Sequence, residues 1–139
     1  MNSNMKGNIA LGAAIALFTA NEYIVSLPLN DSQWYDLIVE KNGIFKTVQI
    51  KYTSEKAKNG TDYKCTLRTI SGTSRVKLYS IVDTSVDLLF CLCANDDKYL
   101  IPVKDITNTN SITLSKQGVS NGFNTSKYYI ANYRVSLED

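Results

Sequence analysis

A single α/β domain with a mixed central sheet flanked by helices is the fold class this sequence predicts, and three stretches predict it. Residues 6–21 form an Ala- and Leu-rich run with no charge between Lys6 and Glu22, long enough for a helix. Residues 35–40 and 44–52 are apolar, β-branched runs joined through Lys41-Asn42-Gly43, and Asn-Gly is a strong hairpin signal. Residues 86–93 carry an apolar run of strand length, read as a central strand buried on both faces. At 139 residues the chain has room for one domain, 1–139, with a core of its own.

The elements follow in order. Residues 1–5 are a polar start. The helix over 6–21 has Asn8 as its candidate cap and Asn21-Glu22 near its end. Its apolar side chains, from Ile9 to Phe18, cover most of the circumference, so it is expected to pack on the sheet and also against another helix or subunit. The run falls below the roughly 18 or more apolar residues of a membrane span. Phe18-Thr19-Ala20 is a poor signal-peptide cleavage site, so the segment is read as part of the fold. A strand at 23–27 leads to Pro28 and a polar turn before the hairpin. Residues 53–60 are a charged loop, 61–70 a strand, and Ser71-Gly72-Thr73-Ser74 a small polar loop between Arg68 and Arg75. After the central strand, Asn95-Asp96-Asp97 makes a turn and 98–103 pairs back. Residues 105–127 are rich in Asn, Thr, Ser and Gly, with one short strand suggested by Ile112 and Leu114.

Composition excludes several chemistries. There is no histidine, which removes Ser-His-Asp and Cys-His hydrolases, His-ligated zinc enzymes and nucleases with a histidine base. Cys65, Cys91 and Cys93 are an odd set, without the partners of a zinc site, and point to a reducing compartment rather than a disulfide framework. The net charge is +2, but its distribution is uneven. Residues 44–77 hold eight basic side chains against Glu55 and Asp62, a surplus of six, which leaves −4 for the remainder. Such a concentration suits a phosphate-binding surface, and equally a solvated lysine-rich face.

The hairpin supplies a constellation inside that basic segment. It brings Asp36, at the start of its first strand, close to Gln49 and Lys51 near the end of its second, at a sheet edge. The stretch SLPLNDSQWYDLIVEKNGIFKTVQIKYTS, from Ser26 to Ser54, resembles the PD-(D/E)XK homing endonucleases associated with bacterial group I introns. In these enzymes an Asp opens one strand, an acidic residue (often Gln in the homing type), any residue and a Lys occupy the next, and the core is restriction-endonuclease-like. The resemblance covers residues 6 to about 75, with the core at 6–70. It implies that 71–139 completes the sheet and supplies DNA-binding and oligomerisation elements.

The resemblance further implies a metal-dependent, site-specific endonuclease acting on double-stranded DNA. Phosphodiester hydrolysis of this kind uses a divalent cation, here Mg²⁺ with Mn²⁺ as substitute. Its expected ligands are Asp36, the side-chain oxygen of Gln49 and the carbonyl of Ile50, with Lys51 acting on the attacking water. Lys56, Lys58, Lys64, Arg75 and Lys77 are candidates for phosphate contact, and Arg68 for guanine. Ser71 and Thr73 complete the expected DNA-binding set. A homo-oligomer, dimer or tetramer, is expected because one active site cuts one strand; no membrane partner is, and a cytoplasmic, bacterial or phage-encoded setting is. The chain departs from the pattern twice. Gln49 is neutral, and many relatives carry a Glu in the first helix near the position of Leu11. A catalytically inactive DNA-binding relative and a Holliday-junction-resolvase-like nuclease therefore remain as alternatives.

Overall fold

The computed structural model describes residues 1–30, 32–71, 77–118, 124–131 and 134–135, with the backbone alone at 69–71 and 77–79. Helix α1 spans Ser3–Ala20. It begins earlier than the sequence suggests because Asn2, not Asn8, is its cap: the Asn2 side chain accepts the Met5 N–H at 2.9 Å. Apolar residues surround α1, yet its buried positions are Ala10, Ala14, Leu17 and Phe18, the spacing of a single stripe. Fully burying Leu17 and Phe18 contributes about 1.5–3 kcal/mol each.

The strands, in chain order, are β1 (Ile24–Ser26), β2 (Leu37–Lys41), β3 (Ile44–Thr53), β4 (Tyr63–Thr66), β5 (Arg68–Ser71), β6 (Lys77–Ser80), β7 (Leu88–Cys93), β8 (Lys98–Pro102) and β9 (Ser111–Leu114). Five of them form a mixed sheet in the order β1-β2-β3-β7-β8. β3 and β7 run parallel, and the other neighbours are antiparallel. The β2–β3 turn fits its sequence: Asn42 and Gly43 both take positive φ, 54° and 78°, as a type I′ hairpin requires. Every residue of β7 is buried, in keeping with its central place. Leu88, Phe90 and Leu92 face the cluster built on α1. Leu89, Cys91 and Cys93 face a second cluster with Tyr63, Cys65, Leu67, Tyr99 and Ile112.

That second face differs from the expectation of flanking helices. Among the described residues α1 is the α-helix, and two β-ribbons, β4–β9 and β5–β6, lie outside the main sheet. They belong to the long connection between the parallel strands β3 and β7, where a helix is the usual solution, and to the chain after β8. The strand expected over 61–70 is two strands, because Leu67 breaks it. Its N–H bonds the Asn110 carbonyl, its own carbonyl accepts the Ile81 N–H, and its side chain is fully buried. β9 lies where Ile112 and Leu114 suggested and pairs with β4. The sheet also draws β7 and β8 from beyond residue 70.

All three cysteines are free and buried. Hydrogen bonding from the neighbouring Cys65 and Cys93 thiols, then burial, pushes the Cys91 thiol well above its ordinary value. It stays protonated, as a core residue. No described helix is long and apolar enough to cross a membrane.

Candidate active site

The site begins with an unfinished ladder. β2 starts only at Leu37, opposite Val48, so the N–H of Ile50 looks past the end of β2. The Asp36 carboxylate takes that N–H: Oδ2 accepts it at 2.7 Å, while the Asp36 N–H donates to the Val48 carbonyl at 2.8 Å. The backbone thus fixes the side chain at the sheet edge that the sequence indicated. Solvent reaches Asp36 from an open groove, but the carboxyl group is bedded in protein. Desolvation raises its pKa from the ordinary 3.8, against the opposing pull of the Ile50 N–H and the Lys51 charge.

Gln49 and Lys51 flank Ile50 on β3, on the opposite face from α1. Gln49 is 7% exposed, and its atom Oε1 is buried and receives no hydrogen bond from the described residues. Lys51 is half-buried and lies beside Cys91 of β7 in the parallel register. Strand geometry directs the N–H and C=O of one residue toward the same neighbour, so the Ile50 carbonyl is on the side of Asp36. Among the described residues no group of three or more His, Cys, Asp or Glu could hold a metal ion. The oxygens at this edge are different in kind: the Asp36 carboxylate and the Ile50 carbonyl line the groove, while the Gln49 amide oxygen is buried and does not line it. Hard oxygens in small number, with water and substrate completing the shell, match what Mg²⁺ accepts.

A groove of about 680 Å³ opens over Asp36, Ile50 and Tyr52. Its walls are the first half of α1, including Asn8 and Leu11, and the 27–35 segment, including Asn30 and Tyr35. Leu11 therefore stands beside the Asp36 groove, and it brings no oxygen there. Next to this groove lies a smaller one of about 330 Å³, where Lys6 from α1, Lys51 from β3 and Lys64 from β4 converge. No motif or spacing in the chain singles out Lys6 for this place. It arrives because the start of α1 abuts the end of β3.

The expected DNA-binding residues are dispersed. Lys56 sits 4.0 Å over the Tyr63 ring, and Lys58 is exposed on the loop before β4. Lys64 pairs with Glu55 at 3.6 Å. Arg68 donates its Nε to Asn110 at 2.6 Å. Ser71 and Lys77 are the last pair of the β5–β6 ribbon, and Thr73 and Arg75 lie outside the described residues. Of the loop expected at 71–74, only Ser71 is described, and it closes β5 opposite Lys77.

No curated protein matches the chain significantly. Among solved structures, the bacterial homing endonuclease I-Ssp6803I superposes with a TM-score of 0.74 at 23% sequence identity, covering 93% of this chain and 89% of that one. At that identity the likeness establishes the fold, a restriction-endonuclease-like mixed sheet. A family model described as PD-(D/E)XK endonuclease matches residues 1–136. With nearly the whole chain matched by that model, the protein belongs to the PD-(D/E)XK endonuclease family.

Proposed function

We infer that the protein is a metal-dependent, site-specific double-strand DNA endonuclease of the intron-homing type. The observation that carries this reading is the Asp36 carboxylate held on the Ile50 N–H, beside Gln49 and Lys51, in a chain of an endonuclease family. Asp36 is the principal ligand of Mg²⁺, or of Mn²⁺ in its place, with the Gln49 amide oxygen and the Ile50 carbonyl as neutral ligands. When bound, the cation supplies charge neutralisation at the scissile phosphate and a water acidified toward neutral pH. With a single carboxylate, the site binds the cation weakly until DNA adds phosphate oxygens. Lys51 orients the attacking water and offsets charge that develops on the phosphate.

DNA is engaged by two kinds of contact. Lys56, Lys58, Lys64, Arg75 and Lys77 meet phosphates, which sets affinity and salt dependence. The β5–β6 ribbon, bearing Arg68 and Ser71, has the shape that enters a major groove, and Thr73 is assigned to the same contact by the family resemblance alone. The Nε contact to Asn110 leaves the terminal nitrogens of Arg68 for a guanine edge. A duplex break needs two sites, so the working form is a homo-oligomer. The exposed side of α1, with Met5 and Ile9 and with Gly12 and Ala16, is the face a second copy covers.

The placement of Leu11 in the Asp36 groove favours one other reading, a relative that binds DNA without cutting it. A cleavage selection separates the two. A randomised duplex library containing a four-way junction is incubated with protein and Mg²⁺ or Mn²⁺, and cut ends are sequenced. Convergence on one long duplex site supports the homing reading and gives the stagger. Cuts confined to the junction make the protein a resolvase, and binding without cuts makes it a DNA-binding relative.

A further inference from the structure

A cavity of about 710 Å³ lies on the ribbon face of the sheet and shares no lining residue with the Asp36 groove. Its walls come from the loop before β4, from the turn between β7 and β8, and from β9 with the residues after it. Two carboxylates line it among the described residues, and each is held by an asparagine of its own turn. Asn59 Nδ2 donates to Asp62 Oδ2 at 2.7 Å, and Asn95 Nδ2 donates to Asp97 Oδ2 at 2.9 Å. Asp97 Oδ1 is also answered, by Lys116 at 3.0 Å and more weakly by the Tyr129 hydroxyl at 3.5 Å. Asp62 Oδ1 accepts no hydrogen bond and forms no ion pair among the described residues. A second group beside it is equally unpartnered. Tyr99 of β8 is 2% exposed, yet its hydroxyl makes no hydrogen bond among the described residues, although buried polar groups are nearly always paired. That hydroxyl is not sealed in protein, so it opens into the cavity that Tyr99 lines. Burial, then the Cys93 thiol and the Asp97 and Asp62 charges, push its pKa well up. It stays neutral, within the field of both carboxylates.

We propose that this cavity binds a small organic cation, an alkylammonium or guanidinium compound, with Asp62 as its counter-ion and the Tyr99 hydroxyl as a hydrogen-bond acceptor. The N–H groups of such a ligand meet the two unpartnered oxygens together, and its charge neutralises the carboxylate that Lys116 leaves unanswered. An anion would face both carboxylates. A bare metal ion is also a poor occupant, because Mg²⁺ and Ca²⁺ take about six or more oxygen ligands, and the described residues hold no cluster of three metal-binding side chains. The volume is that of a small-molecule site. Bound there, the ligand ties the β7–β8 turn to the β4–β9 ribbon. The site goes beyond the endonuclease reading and stands whether or not the protein cuts DNA.

The test titrates agmatine, which carries both an ammonium and a guanidinium, into the full chain by calorimetry. Pentan-1-ol serves as a neutral comparison and Ca²⁺ as a metal one. Saturable binding of agmatine alone is expected. Asp62→Asn removes the counter-ion and should weaken it about 10-fold or more. Tyr99→Phe keeps the buried ring, loses only the hydroxyl, and should weaken it by about 3-fold to 10-fold. Asp83→Asn, at an exposed carboxylate on the turn after β6, removes the same charge elsewhere and should leave the affinity unchanged. Thermal unfolding without ligand reports that each variant is folded, and agmatine should raise the melting temperature of wild type more than that of Tyr99→Phe. Wild type that binds no agmatine, or that binds pentan-1-ol or Ca²⁺ as tightly, overturns the site. So do Asp62→Asn and Tyr99→Phe with wild-type affinity, or a loss in Asp83→Asn equal to theirs.

Discussion

Asp36 carries two opposed demands. The proposed role as a cation ligand requires it ionised, yet burial raises its pKa, while the Ile50 N–H and the Lys51 charge pull it back. An acid with a raised folded-state pKa contributes stability below its unfolded pKa, and that contribution is lost as pH rises through the folded value. Asp36→Asn keeps an oxygen for the Ile50 N–H and has no charge to desolvate. The variant is therefore expected to melt above wild type at pH 7, and this advantage should vanish below the ordinary carboxylate value of 3.8. Thermal unfolding across pH checks the sign. Lys51→Met removes the charge proposed to act on the reacting phosphate, and should lower kcat by about 10²–10³ with duplex affinity nearly kept. Leu11 offers the converse substitution. Leu11→Glu places a second carboxylate at the groove, so like-charge repulsion raises both pKa values without metal, and a divalent cation relieves it. The melting temperature of Leu11→Glu should fall by more than that of Leu11→Gln in chelator and recover more on adding Mg²⁺.

Among the elements, the β2–β3 hairpin does most to build the site, because its register puts Asp36 one step before the Leu37–Val48 pair. Gly43, at φ 78°, meets nothing within 4 Å of an added Cβ, so the cost of Gly43→Ala is backbone strain alone. That is expected to destabilise by about 1 kcal/mol, measured by urea unfolding, and to reduce cleavage only as far as it unfolds the protein. This element was legible in the sequence because Asn-Gly and period-two alternation are local signals. β7 was legible too, since a strand buried on both faces is written as an apolar run. The two ribbons were not. Leu67 looks like any apolar residue of a strand over 61–70, and what interrupts the ladder there is a long-range pair of bonds to Asn110 and Ile81. The groove was legible only in part. Asp36 meets the Ile50 N–H and the Lys51 charge through local pairing, whereas Lys6 reaches the groove lined by Lys51 and Lys64 through the packing of α1 across the sheet, which no spacing in the chain encodes.

At the scale of the molecule, one cluster on each face of the sheet leaves apolar surface over. Ile9, Ile24, Leu27 and Leu29 remain exposed, on or near α1 and the short edge strand β1, and α1 has no charged residue after Lys6. The proposed homo-oligomer would cover the small-residue side of α1 and supply the two sites that a duplex break requires. Sedimentation velocity should find a dimer or larger form, and Ala16→Arg should shift it toward monomer by burying an unpaired charge at the contact. An unaltered sedimentation coefficient in that variant would assign the interface to another face. The monomer should still bind duplex through its basic segment, but nick rather than break it.

On the proposed function the Asp36 edge, and not another part of the surface, holds the chemistry. This assignment is tested most directly by titrating Mg²⁺ and Mn²⁺ into wild type and Asp36→Asn on duplexes carrying the selected site, with binding and cleavage followed in the same samples. The variant should bind duplex as tightly as wild type or more so, and only wild type should cleave, with metal. Undiminished cleavage by Asp36→Asn, or wild-type binding with no cut at any concentration of either metal, would contradict it.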